Sequence, residues 1–177
     1  MRNAFLFTVS ILLLGISGSF AQDQVEFTSK YTNLEDSCLW GEEITGIEPR
    51  NDDYRICKGL NGYEVYEYYT TYGSPVKILQ NKSIDYEKAL APLKEYSMYA
   101  YGKLLEWRFA DGEPFAVIYR VNCYSHPGSG ENDSELEEYL IVRGLQGYDI
   151  EADIDVKKTS GANQTARDAA EKAYLKY

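Results

Sequence analysis

Thiols, grouped carboxylates and guanidinium groups are the side chains of this 177-residue sequence whose types and spacing suit chemistry. Cys123 lies three residues before His126, the sole histidine, and such a spacing permits a thiolate–imidazole nucleophile. The alternative is a buried, inert thiol, because free cysteine packs as a small hydrophobe. Asp149, Glu151, Asp153 and Asp155 alternate with Ile150, Ala152, Ile154 and Val156, which sets carboxylates on one face of a strand and apolar groups on the other. A row of oxygens suggests calcium, but alternate side chains on a flat strand stand about 7 Å apart, whereas calcium needs ligands converging at about 2.4 Å. A solvated edge strand whose charge deters edge-to-edge pairing is therefore expected, with no metal.

Glu106, Arg108 and Arg120 form the third group. They belong to Lys103–Tyr124, where two apolar strands flank Phe109-Ala110-Asp111-Gly112. Asp before Gly predicts a three-residue loop with a bulge, a type I turn followed by one left-handed residue. With Phe109 opposite Glu113, the predicted pairs are Trp107 with Phe115, Leu105 with Val117 and Lys103 with Tyr119 on one face, and the same face takes Val121 and Cys123. That placement favours the buried thiol. The opposite face takes Glu106, Arg108, Ala116, Ile118 and Arg120. Two planar guanidinium forks beside a carboxylate suit an anionic or hydrogen-bonding ligand, and a solvated Glu–Arg contact is the plainer alternative. On the binding reading, Arg108→Ala and Arg120→Ala are expected to leave folding nearly intact while weakening capture of a partner.

Other chemistries lack their motifs. One histidine and three scattered cysteines do not make a four-ligand zinc site, and neither a Gly-x-Ser-x-Gly elbow nor a phosphate-cradling loop occurs. Carboxylates suitable for a glycosidase pair are abundant, but nothing selects two of them. No cofactor is expected. The net charge of −10 repels nucleic-acid phosphates and anionic lipid, which leaves a basic protein or a glycan as the expected partner. The 17 tyrosines fit either a stacking surface for such a partner or sheet propensity and core filling.

The segments that must position these groups follow a plain order. Arg2, the apolar run Ala4 to Ile16 and the small residues of Ser19-Phe20-Ala21 read as a signal peptide over residues 1–21, with Gln22 where a lipoprotein would carry cysteine. Residues 22–177 are expected to form one exported domain, with no membrane insertion after the leader is removed. In an oxidising compartment Cys38 and Cys57 are expected to pair across a polar loop, leaving Cys123 free. Tyr63 to Tyr72 and Val76 to Leu79 read as a hairpin, Lys82 to Tyr96 as at most a short helix before Pro92, and Glu137 to Gly144 as a strand. From Asn163 to Tyr177, Ala166, Ala169, Ala170, Ala173, Tyr174 and Tyr177 share one helical face, with Arg167 and Asp168 spaced to pair with Glu171 and Lys172. The expected fold is α+β, an antiparallel sheet of about five or six strands covered on one face by this C-terminal helix.

Short blocks spread along the chain resemble a group of uncharacterised exported proteins of Gram-negative bacteria. They are Ser29-Lys30-Tyr31-Thr32-Asn33-Leu34 before Cys38; Cys57-Lys58-Gly59-Leu60-Asn61-Gly62-Tyr63; Leu105-Glu106-Trp107-Arg108; Asp111 to Ile118; and Ala162-Asn163 before Ala166-Arg167. The resemblance implies that Cys38 and Cys57 belong together and that the central hairpin is a shared core; it supplies no activity. Relatives often carry a second cysteine pair, on the last strand and beyond the terminal helix, for which this sequence has neither partner. The resulting expectation is a non-catalytic binding or interaction protein of the cell envelope, periplasmic or secreted. Its sheet-surface Tyr and Arg residues would contact a protein or glycan. A small secreted hydrolase using carboxylates or Cys123 with His126, and a structural envelope component, are the alternatives.

Overall fold

The computed structural model describes residues 25–36, 38–40, 54–68, 76–80, 83–94, 96, 98–124 and 137–177. The leader, the polar stretch at 41–53 and His126 lie outside the described residues. Among the described residues, ten strands and one helix follow in chain order: β1 (Phe27–Asn33), β2 (Cys38–Trp40), β3 (Tyr54–Lys58), β4 (Tyr63–Tyr68), β5 (Val76–Gln80), β6 (Ser83–Ala89), β7 (Met98–Ala110), β8 (Glu113–Tyr124), β9 (Glu137–Gly144), β10 (Glu151–Asp155) and α1 (Ala162–Tyr174).

The strands make two antiparallel sheets of five, ordered β1-β7-β8-β9-β10 and β2-β3-β4-β5-β6. The expected helix-covered sheet is the first of these. The second, which the sequence reading did not separate, is an excursion of the chain between β1 and β7. Alternation along the central strands fills both faces of the first sheet. Leu105, Trp107, Val117, Tyr119, Val121, Cys123 and Ile141 meet Cys57, Val65, Val76 and Ile78 of the second sheet in one buried cluster. Phe115, Ala116, Ile118, Leu140 and Val142 meet Ala162, Ala166 and Ala170 of the helix in another. The molecule is thus three layers: helix, sheet and sheet. Alanines on the helix let it lie close to the sheet, which explains why the apolar face is Ala-rich.

The central hairpin departs from its predicted register. Asp111 and Gly112 both have positive φ, 49° and 87°, so the loop has two residues and the primed twist that matches paired strands. Ala110 then pairs with Glu113 and Phe109 with Pro114, after which the ladder slips: Arg108 pairs with Ala116, Trp107 with Val117 and Leu105 with Tyr119. Phe115 is the extra residue of a β-bulge. Pro114, which has no N–H to give a ladder, sits beside it, as strand prolines commonly do. The bulge turns Phe115 away from Trp107 and towards the helix, so the expected Trp107–Phe115 neighbours lie on opposite faces.

One further segment differs from expectation. Ser83–Ala89 is strand rather than helix, because β6 completes the second sheet by pairing Leu79 with Glu87 and Ile78 with Lys88; pairing overrides the helix propensity of Glu87, Lys88 and Ala89. The expected hairpin is present as β4 and β5, which pair Val65 with Ile78 and Glu67 with Val76; ahead of it β3 and β4 form another hairpin that turns on Asn61-Gly62, again with positive φ at both residues.

Cys38 and Cys57 face each other across β2 and β3 and are bonded, with 19 residues of sequence separation. Closing a loop of this size stabilises the fold by about 3 kcal/mol, chiefly by restricting the unfolded chain. A Cys38→Ala/Cys57→Ala variant is therefore expected to unfold at lower denaturant, with a free energy about 3 kcal/mol smaller in chemical denaturation followed by circular dichroism.

Candidate functional site

Glu106 and Arg108 point from β7 to the helix side, as their alternation with Trp107 requires, but α1 covers them. They are 8% and 4% exposed. Arg108 Nη1 donates to Ser29 Oγ on β1 and stands 3.6 Å from Glu106 Oε1, while Nη2 donates to Glu171 on the helix. Glu106 accepts from Ser29 Oγ at 2.5 Å and from Arg167 Nε at 2.7 Å, and Arg167 Nη2 reaches the Tyr31 hydroxyl at 3.0 Å. Arg167 and Glu171 therefore do not pair along the helix. Each turns inward to neutralise one member of the strand pair, while Asp168 accepts from Gln164. Of this group, Arg108 Nε alone is a buried side-chain nitrogen without a hydrogen-bond partner among the described residues.

The open polar face expected around Glu106 and Arg108 is thus a sealed ionic layer. Both Glu106 oxygens are engaged by Arg167, leaving the carboxylate no free approach for a substrate. Arg120 lies on the same face of the sheet but beyond this layer; its side chain is 39% exposed and pairs with Glu138.

The carboxylate row on β10 also has assigned partners. Glu151 pairs with Lys88 on β6, Asp153 with buried Arg143 on β9 and Asp155 with Lys158. Arg143 donates as well to the carbonyl of Ala91, so it ties the exit of the second sheet to the first. The expected solvated face is in part a seam between layers.

Cys123 is a free thiol, fully buried in the cluster between the sheets. Burial, reinforced by the negative charges of Glu137 and Asp153, pushes it up to about 12. Glu137 is held at about 2 by hydrogen bonds from the Tyr96 hydroxyl, Lys94 and the Tyr139 hydroxyl. A thiol facing a stabilised carboxylate is kept protonated and is a poor nucleophile.

Tyrosines supply the remaining surface chemistry; besides Tyr96, Tyr99 and Tyr139, whose rings meet beside Glu137, two groups stand out. On the second sheet Cys57 and Val65 point inward, so Tyr54, Ile56, Tyr66 and Tyr68 point out. The rings of Tyr54, Tyr66 and Tyr68 lie 6.0 to 6.4 Å from one another, with Lys77 Nζ 5.3 Å from the centre of the Tyr68 ring. Burial and the neighbouring Glu64 push the Tyr66 hydroxyl up to about 12, so it remains protonated. Exposed Leu39 extends the face beside Ile56. The second group, Tyr148, Tyr174 and Tyr177, surrounds the C-terminal end of α1. Sequence reasoning counted tyrosines without placing them; alternation in Tyr63–Tyr68 and the Asn61-Gly62 turn were the signals that would have found the first group.

No family model, curated protein or solved structure matches the chain.

Two outcomes check this description. Arg108→Ala leaves a void under the helix, takes the ion-pair partner from half-buried Glu171 and leaves Glu106 to Arg167, and should cost about 2–3 kcal/mol in denaturant unfolding, whereas Arg120→Ala, which breaks a half-exposed pair, should cost under about 1 kcal/mol. Equal effects would contradict the sealed layer. In thiol titration at pH 8, Cys123 should label slowly in the native protein and completely once denaturant exposes it; rapid native labelling would return it to the list of nucleophiles.

Proposed function

We propose that this chain is an exported, non-catalytic binding protein of a bacterial cell envelope, which contacts a protein or glycan through a sheet surface. The observation carrying this reading is the outward face of β3 and β4, where Tyr54, Tyr66 and Tyr68 group beside Lys77 and exposed Leu39. Aromatic rings with a polar tip give large contact area at low conformational cost, and they suit both stacked sugars and protein hot spots. Export is supported by the leader pattern of residues 1–21 and by the Cys38–Cys57 bond, which persists in oxidising compartments. Among the described residues no helix is long and apolar enough to cross a membrane. The hydrolase alternative gains no support from Glu106, whose oxygens are occupied, or from Cys123, whose thiol is buried and protonated. Of the earlier candidates, Arg120 is the one that remains accessible to a partner.

The test is capture from a bacterial envelope fraction on immobilised protein, with Tyr66→Ala/Tyr68→Ala and Arg120→Ala compared with the parent. The double variant should retain the parent's near-ultraviolet circular dichroism in the core region and lose at least about tenfold in capture of a specific component. Undiminished capture by both variants would remove the sheet surface from the proposal.

A further inference from the structure

The end of the helix forms an aromatic cleft separate from the second sheet. Tyr174, in the last turn of α1, packs 4.8 Å from Phe115 and 5.6 Å from Phe27. Tyr148, in the turn between β9 and β10, lies 5.5 Å from Tyr174 and 5.5 Å from Tyr177, whose ring stands at 82° to it. The Asp149 N–H donates to the Tyr177 hydroxyl and fixes that outer ring against the turn. Tyr148, Tyr174, Leu175 and Tyr177 line a pocket of about 410 Å³. Leu175 and Tyr177 at its rim are 64% and 66% exposed, so the cleft is open to solvent. Its inner wall is already packed by Phe27 and Phe115, so little ordering is needed on binding.

The lining narrows the ligand. None of the four side chains is charged, although the chain as a whole carries −10. An ionic ligand would find no counter-charge among these four side chains. Instead the walls offer ring faces and phenolic hydroxyls. The Tyr177 oxygen accepts from the Asp149 N–H and keeps its own proton to donate, and the hydroxyls of Tyr148 and Tyr174 add further donors and acceptors beside it. A fitting molecule presents an apolar C–H face to the rings and a neutral hydroxyl edge to the phenols. A sugar ring in its chair form has both. An aromatic side chain from a partner protein would use the ring faces but leave the phenols unmatched.

We propose that the cleft of Tyr148, Tyr174 and Tyr177 binds one neutral pyranose unit of a glycan. It is a site distinct from the Tyr54–Tyr66–Tyr68 face, with the central sheet between them, so either can fail without the other.

The full chain is titrated with cellobiose and with maltose, and in parallel with glucuronate and N-acetyltyrosinamide, while tyrosine ring resonances are followed by NMR. At least one neutral disaccharide should give saturable shifts at Tyr148 and Tyr177. Tyr177→Ala, at a position 66% exposed and outside the core, should weaken that binding by about tenfold, and Tyr177→Phe by less. Tyr66→Ala should leave it unchanged. Saturation by neither neutral disaccharide, an equal response in Tyr177→Ala, or tighter binding of glucuronate or N-acetyltyrosinamide would overturn the assignment.

Discussion

A sheet covered on both faces offers no place for an unpaired charge, and this constraint organises the molecule. The first sheet presses one face on the second sheet and the other on α1, so each ionisable residue at its centre must carry its counter-charge with it. Arg108 obtains its counter-charge from Glu171 and Glu106 from Arg167, both on the helix, while the Ser29 hydroxyl bridges the two by hydrogen bonds. Arg143, on the opposite face, obtains its partner from Asp153 and a carbonyl from Ala91. Helix docking and sheet docking are therefore both specified by charge as well as by apolar fit. Removing two charges from water is costly, so these pairs contribute more to how the layers register than to how strongly they hold.

Local pattern in the sequence reveals what depends on neighbours along the chain. Glu137–Gly144 is the strand expected, α1 begins within one residue of its predicted start, and Cys38 meets Cys57. The faces of Leu105, Trp107, Val117 and Tyr119 also follow from alternation. Other features depend on residues far apart. β1 has a largely polar edge-strand pattern with no apolar run to announce it; its place is fixed by the ladder to β7 and by the Trp107 N–H donated to Thr32. The bulge at Phe115 is invisible to a strict two-residue period.

The candidate site was legible in the same partial way. Grouping Glu106, Arg108 and Arg120 on one face required only the strand period, and they do share it. That Glu106 and Arg108 lie beneath a helix could not be read, because Arg167 and Glu171 have the spacing of an ordinary surface pair on that helix. The same four charges satisfy either arrangement, and only the docked layer distinguishes them. Tyrosine carried the weakest signal, since a residue type suited equally to cores, strands and surfaces says nothing of place until the strands are registered.

The extra residue at Phe115 divides β8 into two lengths of opposite phase. Ahead of it the strand follows the tight Asp111-Gly112 turn; after it the strand serves both hydrophobic clusters at once. Losing or gaining one residue there would exchange the side chains offered to helix and sheet in a single step, and would withdraw the phenyl ring that backs Tyr174. Length changes in this strand are consequently coupled to the shape of a surface several elements away. In an evolving lineage, the aromatic wall at the helix end would persist only as long as β8 keeps its residue count, even if every tyrosine in that wall were retained.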